Sequence, residues 1–191
     1  HTLLVGGEVL SPKHANTIRR LYPHLRMANI YGPTENTTFS TYFPIEQELD
    51  TMVPIGKPIS NSYAYIFDSH LQLQPIEVEG ELCVGGEGVA RGYLNRPDLT
   101  EAKFVDNPFV PGEKMYRTGD LARWLPDGNI EFIGRIDNQV KIRGYRVELG
   151  EIEVRLLEHD GISVAAAAVI QDSSGNPTIC AYFVKKWSVS I

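Results

Sequence analysis

Residues 29–39 read NIYGPTENTTF: a rigid Gly32-Pro33 turn, then at once a hydroxyl and a carboxylate, Thr34 and Glu35. A plain β-turn uses Gly and Pro for its backbone geometry and has no need of an ordered polar pair. The hydroxyl can donate and accept a hydrogen bond, whereas an ionised carboxylate only accepts. The stretch is therefore either a turn or a site, and its neighbours decide which. Two other segments hold chemistry-bearing residues in order, YRTGD at 116–120 and GRIDNQVKIRGYRVELGEIE at 134–153. Taken singly, each has a plainer structural reading. GPTE reads as a loop, YRTGDLARWLPDG as a strand with a charged loop and a Pro-Asp-Gly turn. The third reads as a hairpin whose alternating charges keep one face wet.

The elements that position these segments show three textures. TLLVGG is a short apolar run ending in glycines, as a buried strand feeding a tight turn does. SPKHANTIRRLYP predicts a helix with Ser11 as N-cap, Pro12 in the first turn, Ala15, Ile18 and Tyr22 on one face, and Pro23 as its stop. LRMANIYG is a second strand, so residues 1–52 read as the end of a βαβ sheet. Ligands sit at the carboxyl ends of such strands, where Gly6-Gly7 and Tyr31-Gly32 fall. Residues 53–135 carry short β-rich runs, SYAYIFD, GELCVGG and NIEFIG, and predict a small antiparallel barrel or sandwich with Pro54, Pro58 and Pro75 at turns and edges. Residues 136–191 predict a helix with Leu149, Ile152 and Leu156 on one face and Gly161 as its C′ residue. Two strands around Ser-Ser-Gly-Asn follow, the alanine run read as strand from its flanking Val164, Val169 and Ile170. The fold class is α/β with several subdomains, the last one incomplete.

Composition excludes several functions. The 191 residues carry a net charge of −6, and no local Lys/Arg run offers the basic face that nucleic acid requires. Cys83 and Cys180 lie in strand-like apolar runs and read as core residues of a reducing compartment. The five histidines lack zinc-ligand spacing. No stretch has the length of a membrane span or the pattern of a signal peptide, so a cytoplasmic location is expected.

Together the motifs resemble one family. LLVGGEVLSP, NIYGPTENTTFS, PIGKPISN, GELCVGGEGVARGYLNRPDLTEAKF, YRTGDLARWLPDGNIEFIGRIDNQVKIRGYRVELGEIE and AYFV follow, in order, the blocks of the adenylate-forming enzymes. The run QVKIRGYRVELGEIE looks like the amino-acid-activating adenylation domains of nonribosomal peptide synthetases, which serve antibiotic biosynthesis. The resemblance implies ATP-dependent formation of an aminoacyl-AMP and its transfer to the phosphopantetheine thiol of a carrier domain, with a condensation domain in the same assembly line. It implies a catalytic role for Thr34 at the α-phosphate and for Glu35 as the ligand of Mg²⁺, a hard cation that takes oxygen donors. Nucleotide contacts are implied at Gly7, Glu8, Asn29, Ile30, Tyr31, Gly32, Pro33, Asp120, Phe132 and Arg135. In these, Tyr31 and Phe132 stack on adenine, Asp120 accepts the ribose hydroxyls, Arg135 assists at ribose and phosphates, and Gly32-Pro33 lets the backbone pass close to the ligand. Asp137 matches the hinge, with Lys141 and Gly144 on the loop used in the thioester step.

The pocket for the substrate side chain is implied at Leu4, Gly6, Ile30, Thr38 and Phe39. None is charged, Gly6 is expected to leave room, and an aliphatic amino acid, Ile or Val ahead of Leu, is expected. The family's SGTTG phosphate loop, its aspartate for the substrate amino group and its lysine in NGK are not in the sequence. The first two are expected before His1 and the third after Ile191, and the chain by itself is expected to be inactive. Acyl-CoA ligation and a non-catalytic nucleotide-binding fragment stand as alternatives.

Overall fold

In the computed structural model, which describes residues 1–137, 139–142, 145–172 and 177–186, the opening apolar run is strand β1 (Thr2–Gly6) and SPKHANTIRRL becomes helix α1 (Pro12–Leu21). Strand β2 (Arg26–Tyr31) returns parallel to β1, with Leu4 beside Ala28 and Gly6 beside Ile30. The βαβ expectation therefore holds, and Gly7 and Gly32 both follow carboxyl ends of parallel strands. Alternation sorts β1 into two faces. Leu3 and Val5 pack with Ala15, Ile18 and Met27, while Leu4 and Gly6 face away. Two helix expectations need correcting. Ser11 occupies the N-cap position, but its side chain makes no capping bond. Tyr22 is 60% exposed, because α1 ends before it and its backbone leaves the helical region.

Helix α1 also clamps the segment that follows the site loop. The Arg19 guanidinium donates to the carbonyls of Ile45 and Glu46, and Asn16 exchanges two hydrogen bonds with the backbone of Leu49. Strand β3 (Thr41–Pro44) pairs antiparallel with β2, and the short β4 (Lys57–Pro58) pairs with β3. Residues 53–58 thus serve the first sheet and also reach the second, since Ile55 N donates to Ile130 O and Ile130 N to Gly56 O.

The second sheet contains β5 (Ser62–Phe67), β6 (Gly80–Gly86), β7 (Phe104–Asp106), β8 (Lys114–Trp124) and β9 (Ile130–Arg135), all paired antiparallel. Helix α2 (Pro97–Lys103) precedes β7. Strand β8 is the axis: β6 runs along one edge, and β7 and β9 divide the other between its two ends. The core on one face joins Tyr31 of the first sheet to Ile66, Leu82, Val84, Phe104, Tyr116 and Ile130. On the other face Phe67, Cys83 and Met115 form a smaller cluster. Burial pushes the Cys83 thiol up to about 12, so this side chain packs and does not react.

Contacts divide the chain into two compact units, His1–Ile136 and Asp137–Ile191. In the second unit, β10 (Gln139–Ile142) and β11 (Tyr145–Glu148) form a hairpin, followed by α3 (Leu149–Leu157) and the antiparallel pair β12 (Ile162–Gln171) and β13 (Pro177–Lys185). The alanine run is strand, as its β-branched flanks indicate. Leu149, Ile152 and Leu156 form the less exposed face of α3, and Ala167 N donates to Glu153 Oε1 to bind the helix to β12. Gly161 is not the C′ residue, because the helix closes at Glu158 with an ordinary right-handed backbone. The Ser-Ser-Gly-Asn turn lies outside the described residues.

The seam between the sheets depends on Gly56, whose φ is +88° and whose missing Cβ would stand 2.0 Å from Tyr42 O. Gly112 has a similar φ of +85° with open space around it. Gly112→Ala is expected to cost only the left-handed backbone penalty, about 1–2 kcal/mol. Gly56→Ala adds a clash with backbone and is expected to cost roughly 4 kcal/mol or more. Urea unfolding of the two variants checks this, and equal losses would remove the seam from Gly56.

Candidate active site

YRTGD lies in the middle of β8, where the ladder is broken. Leu82 of β6 faces Asp120, whereas the next residue, Cys83, faces Arg117, so Thr118 and Gly119 are extra residues on the β8 side. Such a bulge re-aims the side chains after it. Each residue of Thr-Gly-Asp has a physical task there. Gly119 takes φ +72°, a conformation that favours glycine. The Thr118 hydroxyl donates to Leu82 O and accepts from Asp120 N. Glu81 takes Gly119 N at 3.1 Å and pairs with Arg117 at 2.5 Å.

The bulge delivers Asp120 to a buried position, 5% exposed, beside β2 and β9. Arg135 Nη1 donates to Asp120 Oδ1 at 2.8 Å, and the Tyr31 hydroxyl donates to Asp120 Oδ2. Two motifs 89 residues apart therefore meet through one hydrogen bond. Burial, and then the charge and hydrogen bond of Asp120, hold the Tyr31 phenol well above its ordinary ionisation range. Its ring is 7% exposed and lies 6.5 Å from that of Phe132. The freely accessible stacking face expected of Tyr31 is thus mostly within the core.

GPTE forms a single 3-10 turn, Thr34–Asn36, after Pro33. Thr34 is exposed and Glu35 half-buried. Glu35 Oε1 accepts from the hydroxyls of Tyr93 and Tyr116 at 2.7 and 2.8 Å. The chain then bends through Thr37 and Thr38, at φ 40° and 76°. Two consecutive β-branched residues in this region are strained, and such strain concentrates at functional sites.

The packing corrects one expectation and shows what surrounds two other positions. Gly6 leaves no free room, because a Cβ would meet Ile30 O at 2.4 Å and Ile30 Cγ1 at 2.7 Å. At Gly32 a Cβ would stand 2.3 Å from Phe39 Cα, so the glycine also lets residues 38–40 fold back on the turn. The contact expected at Asn29 is by its backbone, and its side chain is packed. It is buried between β1 and β3, and its amide donates to Pro54 O at 2.8 Å.

The remaining expected positions divide as follows. Gly7, at φ +94°, and Glu8 are exposed just past β1. Leu4 is 47% exposed, and the parallel register sets Leu4, Gly6 and Ile30 on one face. Phe39 is half-buried and Thr38 exposed. Asp137 begins the second unit, and its carboxylate accepts Gln139 N at 3.2 Å. Lys141 lies on β10 opposite Arg146, and Gly144 is outside the described residues. Tyr93, Tyr116, Thr118 and Glu81 had no expected role. Their signal was in view, since all four stand inside the blocks GELCVGGEGVARGY and YRTGD.

Comparison with known proteins identifies the family. The model of the AMP-binding enzymes matches residues 1–94. Gramicidin S synthase 2 of Brevibacillus brevis is 61% identical over 190 residues, which is 100% of this chain and 4% of that protein. Tyrocidine synthase 3 of Brevibacillus parabrevis is 63% identical over 98% of the chain and 3% of its own length. A solved nonribosomal peptide synthetase protein with adenylation and PCP domains, in its holo form with a vinylsulfonamide inhibitor, superposes with a TM-score of 0.88. It shares 36% identity over 97% of this chain and 33% of that one. The chain belongs to the AMP-binding enzymes, as a segment of a nonribosomal peptide synthetase adenylation domain. It spans only a small part of the curated relatives it matches.

Within this adenylation segment the donors around Glu35 and Thr34 are oxygens. Among the described residues no group of three or more His, Cys, Asp or Glu could hold a metal. One carboxylate suits Mg²⁺, which keeps much of its shell from phosphates and water. Among the described residues no helix is long and apolar enough to cross a membrane.

Tyr31→Phe keeps the ring in the core and removes the donor to Asp120, with an expected loss of about 1.5–3 kcal/mol at neutral pH. The folded-state ionisation of Tyr31 is raised above the ordinary value of 10.0. Its stabilising contribution is therefore complete below pH 10 and declines above it by about 1.4 kcal/mol per pH unit. The gap between native chain and variant should narrow accordingly in urea unfolding at pH 8, 9.5 and 10.5. A constant gap would show that the phenol is not held by the carboxylate.

Proposed function

We propose that this segment works in an adenylation domain that activates an aliphatic amino acid, Ile or Val ahead of Leu, as its aminoacyl-AMP and passes it to a carrier-domain phosphopantetheine thiol. The observation that carries the proposal is the meeting of Tyr31 with Asp120 and Arg135 beside the Thr34–Glu35 turn. In the first half-reaction a carboxylate oxygen of the amino acid attacks the α-phosphorus of ATP, the new O–P bond forms, and pyrophosphate leaves. In the second the thiol sulfur attacks the acyl carbon, AMP leaves, and the thiol proton goes to solvent.

The chain's own residues then have these tasks. Asp120 accepts the ribose hydroxyls, since each carboxylate oxygen can accept more than one hydrogen bond. Arg135 pairs with that carboxylate and adds positive charge near ribose and phosphate. Phe132 and Tyr31 meet adenine, with Ile30 and the Gly7-Glu8 and Gly32-Pro33 turns around the nucleotide. The Thr34 hydroxyl donates to the α-phosphate where charge accumulates. Glu35 would hold Mg²⁺, which supplies charge neutralisation at the phosphates when bound. Leu4, Ile30, Thr38 and Phe39 form the wall for the substrate side chain, and an apolar wall rejects charged side chains through their unpaired burial. Asp137, where the second unit begins, serves as hinge, with Lys141 and Gly144 on the loop of the thioester step. A condensation domain completes the assembly line.

Amino-acid-dependent pyrophosphate exchange by the adenylation domain containing this chain tests the reading. Asp120→Ala is expected to lower kcat/KM about 100-fold, equivalent to roughly 2.7 kcal/mol, and a clear preference for Asp, Orn or Lys would overturn the aliphatic pocket. Asp137→Pro is expected to leave exchange largely intact and to slow thioester loading. Equal losses in both half-reactions would remove the hinge role.

A further inference from the structure

Residues 85–100, GGEGVARGYLNRPDLT, have no part in the nucleotide chemistry proposed above, yet they wrap the loop that carries Glu35. Ala90 N donates to Glu35 O at 2.8 Å, and the Thr37 hydroxyl donates to Gly88 O at 2.7 Å. Gly88 lies so close that a Cβ would stand 2.8 Å from Asn36 Oδ1. The loop is thus held at Glu35 and at the two residues after it.

The side chain is held as well. The Tyr93 and Tyr116 hydroxyls are 3.1 Å apart and both reach the same carboxylate oxygen, Glu35 Oε1. Each phenol is itself fixed. Tyr93 N donates to Thr100 Oγ1 at 2.9 Å, and Gly92, at φ +137°, allows Thr100 to approach where a Cβ would stand 2.4 Å from its Cγ2. Phe104 packs between the two rings, with centroids 5.4 Å from Tyr93 and 5.1 Å from Tyr116.

A glutamate on a turn has three rotatable side-chain bonds, and a metal ligand must be held in one geometry to be effective. We propose that Tyr93 and Tyr116 are positioning residues for adenylation, their two hydroxyls fixing the Glu35 carboxylate in the orientation that binds the metal of the metal–nucleotide complex. The proposal rests on the assignment of Glu35 to the metal. Its competitor is that the two phenols need an acceptor in the core and Glu35 merely supplies one.

The test measures Mn²⁺ affinity by electron paramagnetic resonance in the whole adenylation domain saturated with a non-hydrolysable ATP analogue. Tyr93→Phe is expected to weaken Mn²⁺ about 10-fold, and the Tyr93→Phe/Tyr116→Phe pair up to about 100-fold. AMP affinity without metal should be unchanged, because Asp120, Arg135 and Tyr31 are untouched. A lowered melting temperature with unchanged Mn²⁺ affinity would overturn the proposal in favour of the packing role. If Glu35→Gln loses Mn²⁺ while the double phenylalanine variant keeps it, positioning fails and the metal assignment survives. If Glu35→Gln itself keeps Mn²⁺, both fall. Should the double variant fail to fold, Tyr93→Phe alone decides, since its half-buried ring keeps its packing on Phe104.

Discussion

The buried carboxylate of Asp120 constrains the rest of the first unit. An ionised carboxylate removed from water is costly unless it is paired and hydrogen-bonded. Arg135 from β9 and Tyr31 from β2 meet that need for a residue of β8, so three strands from two sheets must come to one place before the charge is satisfied. A pair of apolar residues would fill the same volume with no such requirement, and a buried ion pair is weak evidence for stability. Its persistence in a core otherwise made of Ile66, Leu82, Val84 and Ile130 therefore argues for a task in binding.

The same constraint explains why β8 is irregular. In a regular ladder Cys83 would face Gly119, the residue next to Asp120, but it faces Arg117. The two extra residues at Thr118-Gly119 break that register, while Leu82 O and both backbone groups of Gly119 still find partners. Leu82 O takes the Thr118 hydroxyl, Glu81 takes Gly119 N, and Gly119 O accepts Ile136 N. That last bond lies one residue before the second unit begins, so the bulge that aims the candidate ribose ligand also anchors the end of the first unit.

Much of this was legible in the sequence, and what was not shares one cause. Periodicity and punctuation identified β1, α1 and β2 as a βαβ unit, the short strands of the second sheet, and the alanine run as strand, because each of those signals is local. The bulge was invisible, since TGD inside an alternating strand looks the same as TGD after one, and only pairing with β6 exposes the two extra residues. The fixed side chain of Asn29 was equally hidden, since its amide bonds to Pro54 O, 25 residues further along the chain. Tyr93 and Tyr116 were unread for the same reason: their partner, Glu35, is 58 and 81 residues away.

Gly6, expected to leave room, needs the same correction in physical terms, and Gly32 shows the same packing. A glycine in a sequence reports that a Cβ is missing, not what occupies the space. At Gly6 the occupant is the backbone and Cγ1 of Ile30, and at Gly32 it is the backbone of residues 38–40. The wall offered to a substrate side chain is therefore shaped indirectly. Gly6 sets how closely β1 and β2 approach and so where Ile30 stands. Gly32 sets how tightly the left-handed Thr37-Thr38 bend folds back and so where Phe39 stands. A larger residue at either position would not simply fill a cavity. It would push Ile30 or Phe39 off its present contour, and through the turn between them it would move Thr34 and Glu35. In the proposed function, the wall for the side chain and the groups assigned to the phosphates thus share the backbone of residues 30–39, so a change at either glycine would act on both.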